Sequence, residues 1–124
     1  MKKLVIGLSA ILMTACTHNK LLLVLPSPDK TYRIEVLQCQ QNGSFWGTAK
    51  LQIAVPSEGS SKCQSSVNTY IKFYSEMPLS DLQLEWISDT EILAWHPSFN
   101  PKFGPYSATL GGPNDPIKIS FKPK

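Results

Sequence analysis

Five stretches of this chain alternate apolar with polar residues at a period of two, and that repeat constrains the fold more than any other feature. Tyr32, Ile34 and Val36 alternate with Arg33 and Glu35, and Leu51, Ile53 and Val55 share a face. Val67, Thr69, Ile71 and Phe73 alternate with Asn68, Tyr70, Lys72 and Tyr74; Leu82, Leu84 and Trp86 share a face; Ile117, Ile119 and Phe121 alternate with Lys118, Ser120 and Lys122. Successive side chains of a strand point to opposite faces, so each stretch reads as a half-buried strand. Ile92 to Trp95, led in by Ile87-Ser88-Asp89-Thr90-Glu91, adds a sixth and makes a hairpin with its tip at Ser88 and Asp89. Six strands without a convincing helix predict an all-β fold, a single small antiparallel sandwich or barrel-like domain.

Breaks between these strands have their own chemistry. Pro26-Ser27-Pro28-Asp29 is a turn, with two prolines fixing φ and Asp29 able to bond its own backbone. Gly43 and Ser44 read as a turn ahead of a strand within Phe45 to Val55, which Pro56 stops, and Ser57 to Ser66 reads as a loop. His96 to Pro116 holds five prolines, at 97, 101, 105, 113 and 116, which leaves no room for a long regular element.

The N-terminus carries an address. Met1-Lys2-Lys3 gives a positive start, and Leu4 to Met13 is an apolar run of signal-peptide length, too short for the ~20 residues that span a hydrocarbon core. It ends in Leu12-Met13-Thr14-Ala15-Cys16, which resembles the lipobox of bacterial lipoproteins. There the cysteine thiol accepts a diacylglycerol and small residues flank the cleaved bond. The resemblance implies a signal peptide over 1–15, lipidation of Cys16, a lipidated tether over 16–25 and a β domain over 26–124. Thr17 after the lipid cysteine implies the outer membrane by the sorting rule of enteric-type bacteria. An ordinary signal peptide cleaved after Ala15 is the alternative, and it leaves an odd thiol beside two others.

Removing Cys16 by acylation leaves Cys39 and Cys63, an even pair that beyond the cytoplasmic membrane is most simply one disulfide. The two histidines, His18 and His96, complete no zinc-like Cys/His set, so neither a metal nor a cofactor is expected. Of the 12 basic residues, Lys2 and Lys3 fall in the leader, which leaves 10 against 9 acids. That balance excludes an electrostatic nucleic-acid binder.

Catalytic sets are thin. His96 with Cys39 or Cys63 needs reduced thiols, and a Ser/His/Asp set on His96 lacks a Gly-x-Ser-x-Gly elbow. Glu85 and Glu91 are a carboxylate pair placed to face one another across the hairpin, though charged residues on an outer sheet face are the ordinary expectation. No catalytic residue is assigned. The remaining signal is aromatic: Trp95, Phe99, Phe103 and Tyr106 lie in or beside the proline-rich stretch, with Lys102 among them. Prolines lower the entropic cost of presenting a fixed surface, so this stretch is the candidate recognition site for an envelope protein or a glycan. The competing expectation is that these rings fold back over an open end of the sheet.

Ser27-Pro28-Asp29-Lys30-Thr31-Tyr32-Arg33 is similar to the Ser-Pro-Asp-Gly-Lys-Tyr stretch that opens strands in many bacterial β-proteins, TolB-like propeller blades among them, with lysine at 30 where that phrase has glycine. Trp86-Ile87-Ser88-Asp89 is similar to a hairpin phrase of the same proteins. The chain is too short for a propeller and shows no repeat. With the lipobox, the combination resembles small bacterial lipoproteins of uncharacterised function. It implies a membrane-anchored envelope protein with a binding or structural, non-catalytic role. A periplasmic inhibitor of a lysozyme-like hydrolase is the alternative, with Lys102 beside Phe103 as the inserting group.

Overall fold

A computed structural model describes residues 20–40, 49–63, 68–105, 107–110 and 114–124. These form a two-layer, all-β sandwich. The long sheet has the order β1-β2-β3-β4-β7, from β1 (Lys20–Pro26), β2 (Arg33–Gln40), β3 (Ala49–Pro56), β4 (Thr69–Ser75) and β7 (Ala108–Thr109). The short sheet has the order β5-β6-β8, from β5 (Gln83–Trp86), β6 (Glu91–Trp95) and β8 (Lys118–Phe121). A 3-10 turn over Leu79–Asp81 leads into β5.

The period-two residues meet as the sequence demands. Across the long sheet Leu23, Val36, Ile53 and Phe73 stand in one cross-strand row, and Leu25 with Ile34 and Val55 with Ile71 form the next. Ile34, Val36, Leu51, Val55 and Phe73 are wholly buried, and each such side chain contributes about 1.5–3 kcal/mol to folding. The short sheet lays Leu84, Trp86, Ile92, Ala94, Ile119 and Phe121 against them. Phe73 is the hinge of the two layers, meeting Phe121 edge-on at 5.1 Å and Phe99 at 6.1 Å.

Two bulges account for residues that break the alternation. Leu21 to Leu25, assigned from sequence to the tether, is instead the body of β1, so the domain begins by Lys20 and not at Pro26. A register shift between Leu21 and Leu23 lets Leu22 and Leu23 both reach the core, which a run of consecutive leucines permits and strict alternation does not. In β4, Thr69 opposes Pro56 and Ile71 opposes Val55. Tyr70 is therefore the extra residue, and it packs on the core with its ring edge-on to Tyr32 at 5.6 Å rather than on the face of Lys72 and Tyr74.

The short sheet also departs from the antiparallel expectation: β6 and β8 run parallel. Parallel neighbours need a long crossover, and here the chain between them travels to the long sheet, adds β7 beside β4, and returns.

Part of the outer face of the long sheet is covered by chain. Residues 59–63 lie across it as a strap: Arg33 Nη2 donates to Gly59 O, Ser61 N and Oγ both donate to Glu35 Oε1 at 2.8 Å, and Gln52 Nε2 donates to Lys62 O at 2.7 Å. Its end is fixed by the Cys39–Cys63 disulfide, with Cα atoms 5.7 Å apart. Gln52 is consequently wholly buried and Glu35 4% exposed. Burial alone pushes the Glu35 carboxyl up, but the two Ser61 bonds and the Arg33 guanidinium, 2.8 Å away, together outweigh it and leave the group below its ordinary value.

Ser27–Arg33 and Trp86–Asp89 form two halves of one clasp between the sheets. Trp86 Nε1 donates to Leu25 O at 2.9 Å, and Asp29 N donates to Asp89 Oδ1 at 2.9 Å. Within the first half Lys30 N donates to Ser27 O, and Asp29 Oδ1 accepts from Thr31 N and Ser27 Oγ, which lowers the Asp29 pKa. Lys30 sits at φ +64°, a left-handed conformation that glycine adopts without steric cost.

Candidate functional site

The stretch after β6 is built as a pinned loop. Phe99 N donates to His96 O at 2.9 Å, closing a turn over His96-Pro97-Ser98-Phe99. That turn drives the Phe99 ring into the core, where it is 5% exposed and meets Trp95, Phe73 and Phe121 at 5.7 to 6.1 Å. Phe99 is therefore a core residue and not part of a recognition surface. Trp95, half-buried, packs edge-on against it. These two rings behave as the fold-back expectation required.

Beyond Phe99 the chain makes a closed lariat. Asn100 and Gly104 exchange both backbone bonds, at 2.8 and 2.7 Å, while Asn100 Oδ1 accepts from Lys102 N and Phe103 N at 2.8 and 3.2 Å. Gly104 adopts φ +84°, and a β-carbon there would lie 2.9 Å from the Phe121 ring, so only glycine lets the loop's base press on the core. The tip carries Pro101, Lys102 and Phe103, all exposed, with Phe103 at 77%. Backbone and anchor thus hold an aromatic ring and an ammonium out in solvent on a fixed base. Tyr106 lies outside the described residues, as do Cys16, Phe45 and Trp46.

Asn100 and Gly104 are the organising residues that composition alone understates. Asn-Pro is a turn-initiating pair, and a glycine four residues after the Asn is the available signal for the closure.

In comparison with known proteins, no family model, curated protein or solved structure matches the chain.

His96, buried at 4%, uses Nδ1 locally: the ring nitrogen accepts from Ser98 N at 3.0 Å and meets Ser98 Oγ at 2.8 Å. Nε2 makes no hydrogen bond and the ring leans on Phe99 at 5.9 Å. The bond from Ser98 N places the proton of a neutral ring on Nε2. The imidazole thereby serves as a cap for the turn that carries the loop.

Glu85 and Glu91 are not opposite one another. In the β5–β6 register Glu85 faces Leu93, and Ile87 N donates to Glu91 O. Glu85 instead pairs with Lys124 at 3.3 Å, beside a cleft of about 350 Å³ lined by Leu82, Gln83, Leu84, Glu85, Leu93 and Lys124. None of these residues belongs to the loop. Among the described residues no group of His, Cys, Asp and Glu is arranged to hold a metal ion, and no helix is long and apolar enough to cross a membrane.

Proposed function

We propose that this chain is a lipid-anchored envelope protein with a binding role and no catalytic activity of its own, and that the Asn100–Gly104 lariat is its recognition element. One observation carries the choice of element: Phe103 is 77% exposed at the tip of a loop whose base is closed by two backbone bonds and seated on Phe121. Ordering a loop before contact removes an entropic cost of binding, and an exposed aromatic supplies contact area. Anchoring rests on the lipobox ending in Cys16.

The test has two parts. Intact mass and membrane fractionation of the natively expressed protein beside Cys16→Ser should show acyl mass and membrane association in the first and neither in the second. Crosslinking in envelopes through the loop should then be lost on Phe103→Ala. An unacylated, soluble wild type refutes the anchor, and crosslinking unchanged by Phe103→Ala refutes the element.

A second reading, inhibition of a lysozyme-like hydrolase, is favoured by the adjacency of exposed Lys102 and Phe103 at the tip. Such an inhibitor sends a cation into an acidic cleft, so inhibition of lysozyme abolished by Lys102→Glu supports it. Absence of inhibition by the wild type removes it.

A further inference from the structure

Register places the start of the domain and the lariat at the same end of the sandwich. Lys20 opposes Gln38, Gln38 opposes Leu51, and Leu51 opposes Ser75, so these four form one row near the end of the long sheet, and only the β2–β3 pair continues past it, to Gln40 opposite Ala49. On the far edge β7 runs antiparallel to β4, with Ala108 opposite Phe73 and Tyr74 N bonded to Ser107 O. In the other sheet β6 starts beside the clasp, where Ile92 opposes Trp86, and runs away from it to Trp95, so the lariat that follows lies at the Ser75 end. The clasp of Asp29 with Asp89 lies at the opposite end, beyond Pro26.

Sequence fixes what faces that row. Three residues, Thr17 to Asn19, lie between Cys16 and Lys20 of that row, and the four Cα steps at ~3.5 Å each reach at most about 14 Å. An acylated Cys16 holds this end, and not the clasp, next to the bilayer. Its exposed side chains suit a headgroup layer: Leu21 is 53%, Met77 40% and Phe103 77% exposed, and Lys20 and Lys102 are exposed beside them. Aromatic rings and lysines are what membrane interfaces favour, the first through their apolar bodies and the second through anionic lipid. Glu76, the acid next to Met77, is paired with Lys50 at 3.4 Å.

From this juxtaposition we infer that the surface met by the lariat is the lipid bilayer itself: the domain stands on its Lys20 end, with Phe103 in the headgroup region. The inference rests on the anchoring proposed above and specifies the ligand of that same loop. Two points of attachment, acyl chain and Phe103, would fix the domain's orientation where one acyl-bearing tether leaves it free to tumble.

The experiment uses the full-length acylated protein in phosphatidylethanolamine–phosphatidylglycerol vesicles. Nitroxides are placed at Phe103→Cys, at Met77→Cys as a second reporter on the same end, and at Lys30→Cys on the opposite end. Accessibility to oxygen, which partitions into lipid, is compared with accessibility to a water-soluble nickel chelate. The oxygen-to-nickel ratio at 103 and at 77 should exceed that at 30 several-fold. Equal ratios at the three positions overturn the inference while flotation with vesicles still upholds the anchor. Failure to float, with no acyl mass, overturns both. Shielding of 103 from both reagents in native envelopes, with a crosslink to a protein, assigns the loop to a protein partner and overturns the lipid assignment.

Discussion

Gly59 and Gly104 share a left-handed backbone, φ +67° and +84°, but a β-carbon at Gly59 would meet nothing within 4 Å whereas at Gly104 it would meet three Phe121 atoms at 2.9 Å. Alanine at the two positions therefore separates backbone strain from collision. Holding a non-glycine residue in the left-handed region costs roughly 1–2 kcal/mol. The stiffer unfolded chain returns about 0.4–1 kcal/mol of that. Gly59→Ala should thus lose on the order of 1 kcal/mol. Gly104→Ala adds an overpacking of about 1–3 kcal/mol, because the partly buried Phe121 that the new β-carbon would meet is itself packed edge-on against Phe73 and Phe99. The two variants should differ by roughly 1–3 kcal/mol. With a urea slope near 1–1.5 kcal/mol/M for a domain of this size, that separates the midpoints by about 0.7–3 M. Urea unfolding followed by tryptophan fluorescence reads it directly. Coincident midpoints would refute the claim that the loop's base is seated on Phe121, and with it the rigidity on which the recognition role depends.

Other expectations follow from features already described. Lys30→Gly should raise stability by up to ~1 kcal/mol, since it relieves a left-handed lysine without removing the backbone bonds of the Ser27 turn; equilibrium unfolding checks it. Glu35, held below its ordinary value of 4.5, stabilises the fold above that pH and loses the contribution as pH falls through its native value. The stability gap between wild type and Glu35→Gln should accordingly shrink as thermal melts are taken from neutral pH to below 4.5. Reduction of Cys39–Cys63, whose sequence separation is 24, should lower stability by roughly 3–4 kcal/mol on the chain-entropy account, measured by denaturant titration with and without reductant. Trp86→Phe removes the indole N–H that serves Leu25 O together with the five-membered ring packed on the core, for a loss of at least about 1 kcal/mol in the same assay.

The alternating segments were legible because a half-buried strand writes its burial into every second residue, as Ile34, Val36, Ile53, Val55 and Phe73 do. What escaped was whatever a bulge or a long-range partner decides. Leu21 to Leu25 carries no alternation, and its place as an edge strand depends on the shift at Leu22. Tyr70 changes face for the same reason. The two-residue β7 is too short to leave a periodic trace, and without it the return of β8 parallel to β6 cannot be deduced. At the candidate site, the lysine and the exposed ring were legible as types, but nothing local separates Phe99, which turns inward, from Phe103, which turns outward. That distinction is made by the His96 turn and the Asn100–Gly104 closure.

The excursion of the chain from β6 to the long sheet and back to β8 makes the two layers interdependent. Neither sheet is complete until its counterpart has been laid down, so the molecule offers no half that folds ahead as an independent unit, and contacts of high sequence separation slow its assembly. Export through a membrane N-terminus first, as the proposed anchor requires, delivers Ile119 and Phe121 last. Until then the inner face around Phe73 lacks the β8 part of its cover, the Phe121 ring above all. During that interval the sticky face is available to holding chaperones, or to neighbouring copies that emerge too close by.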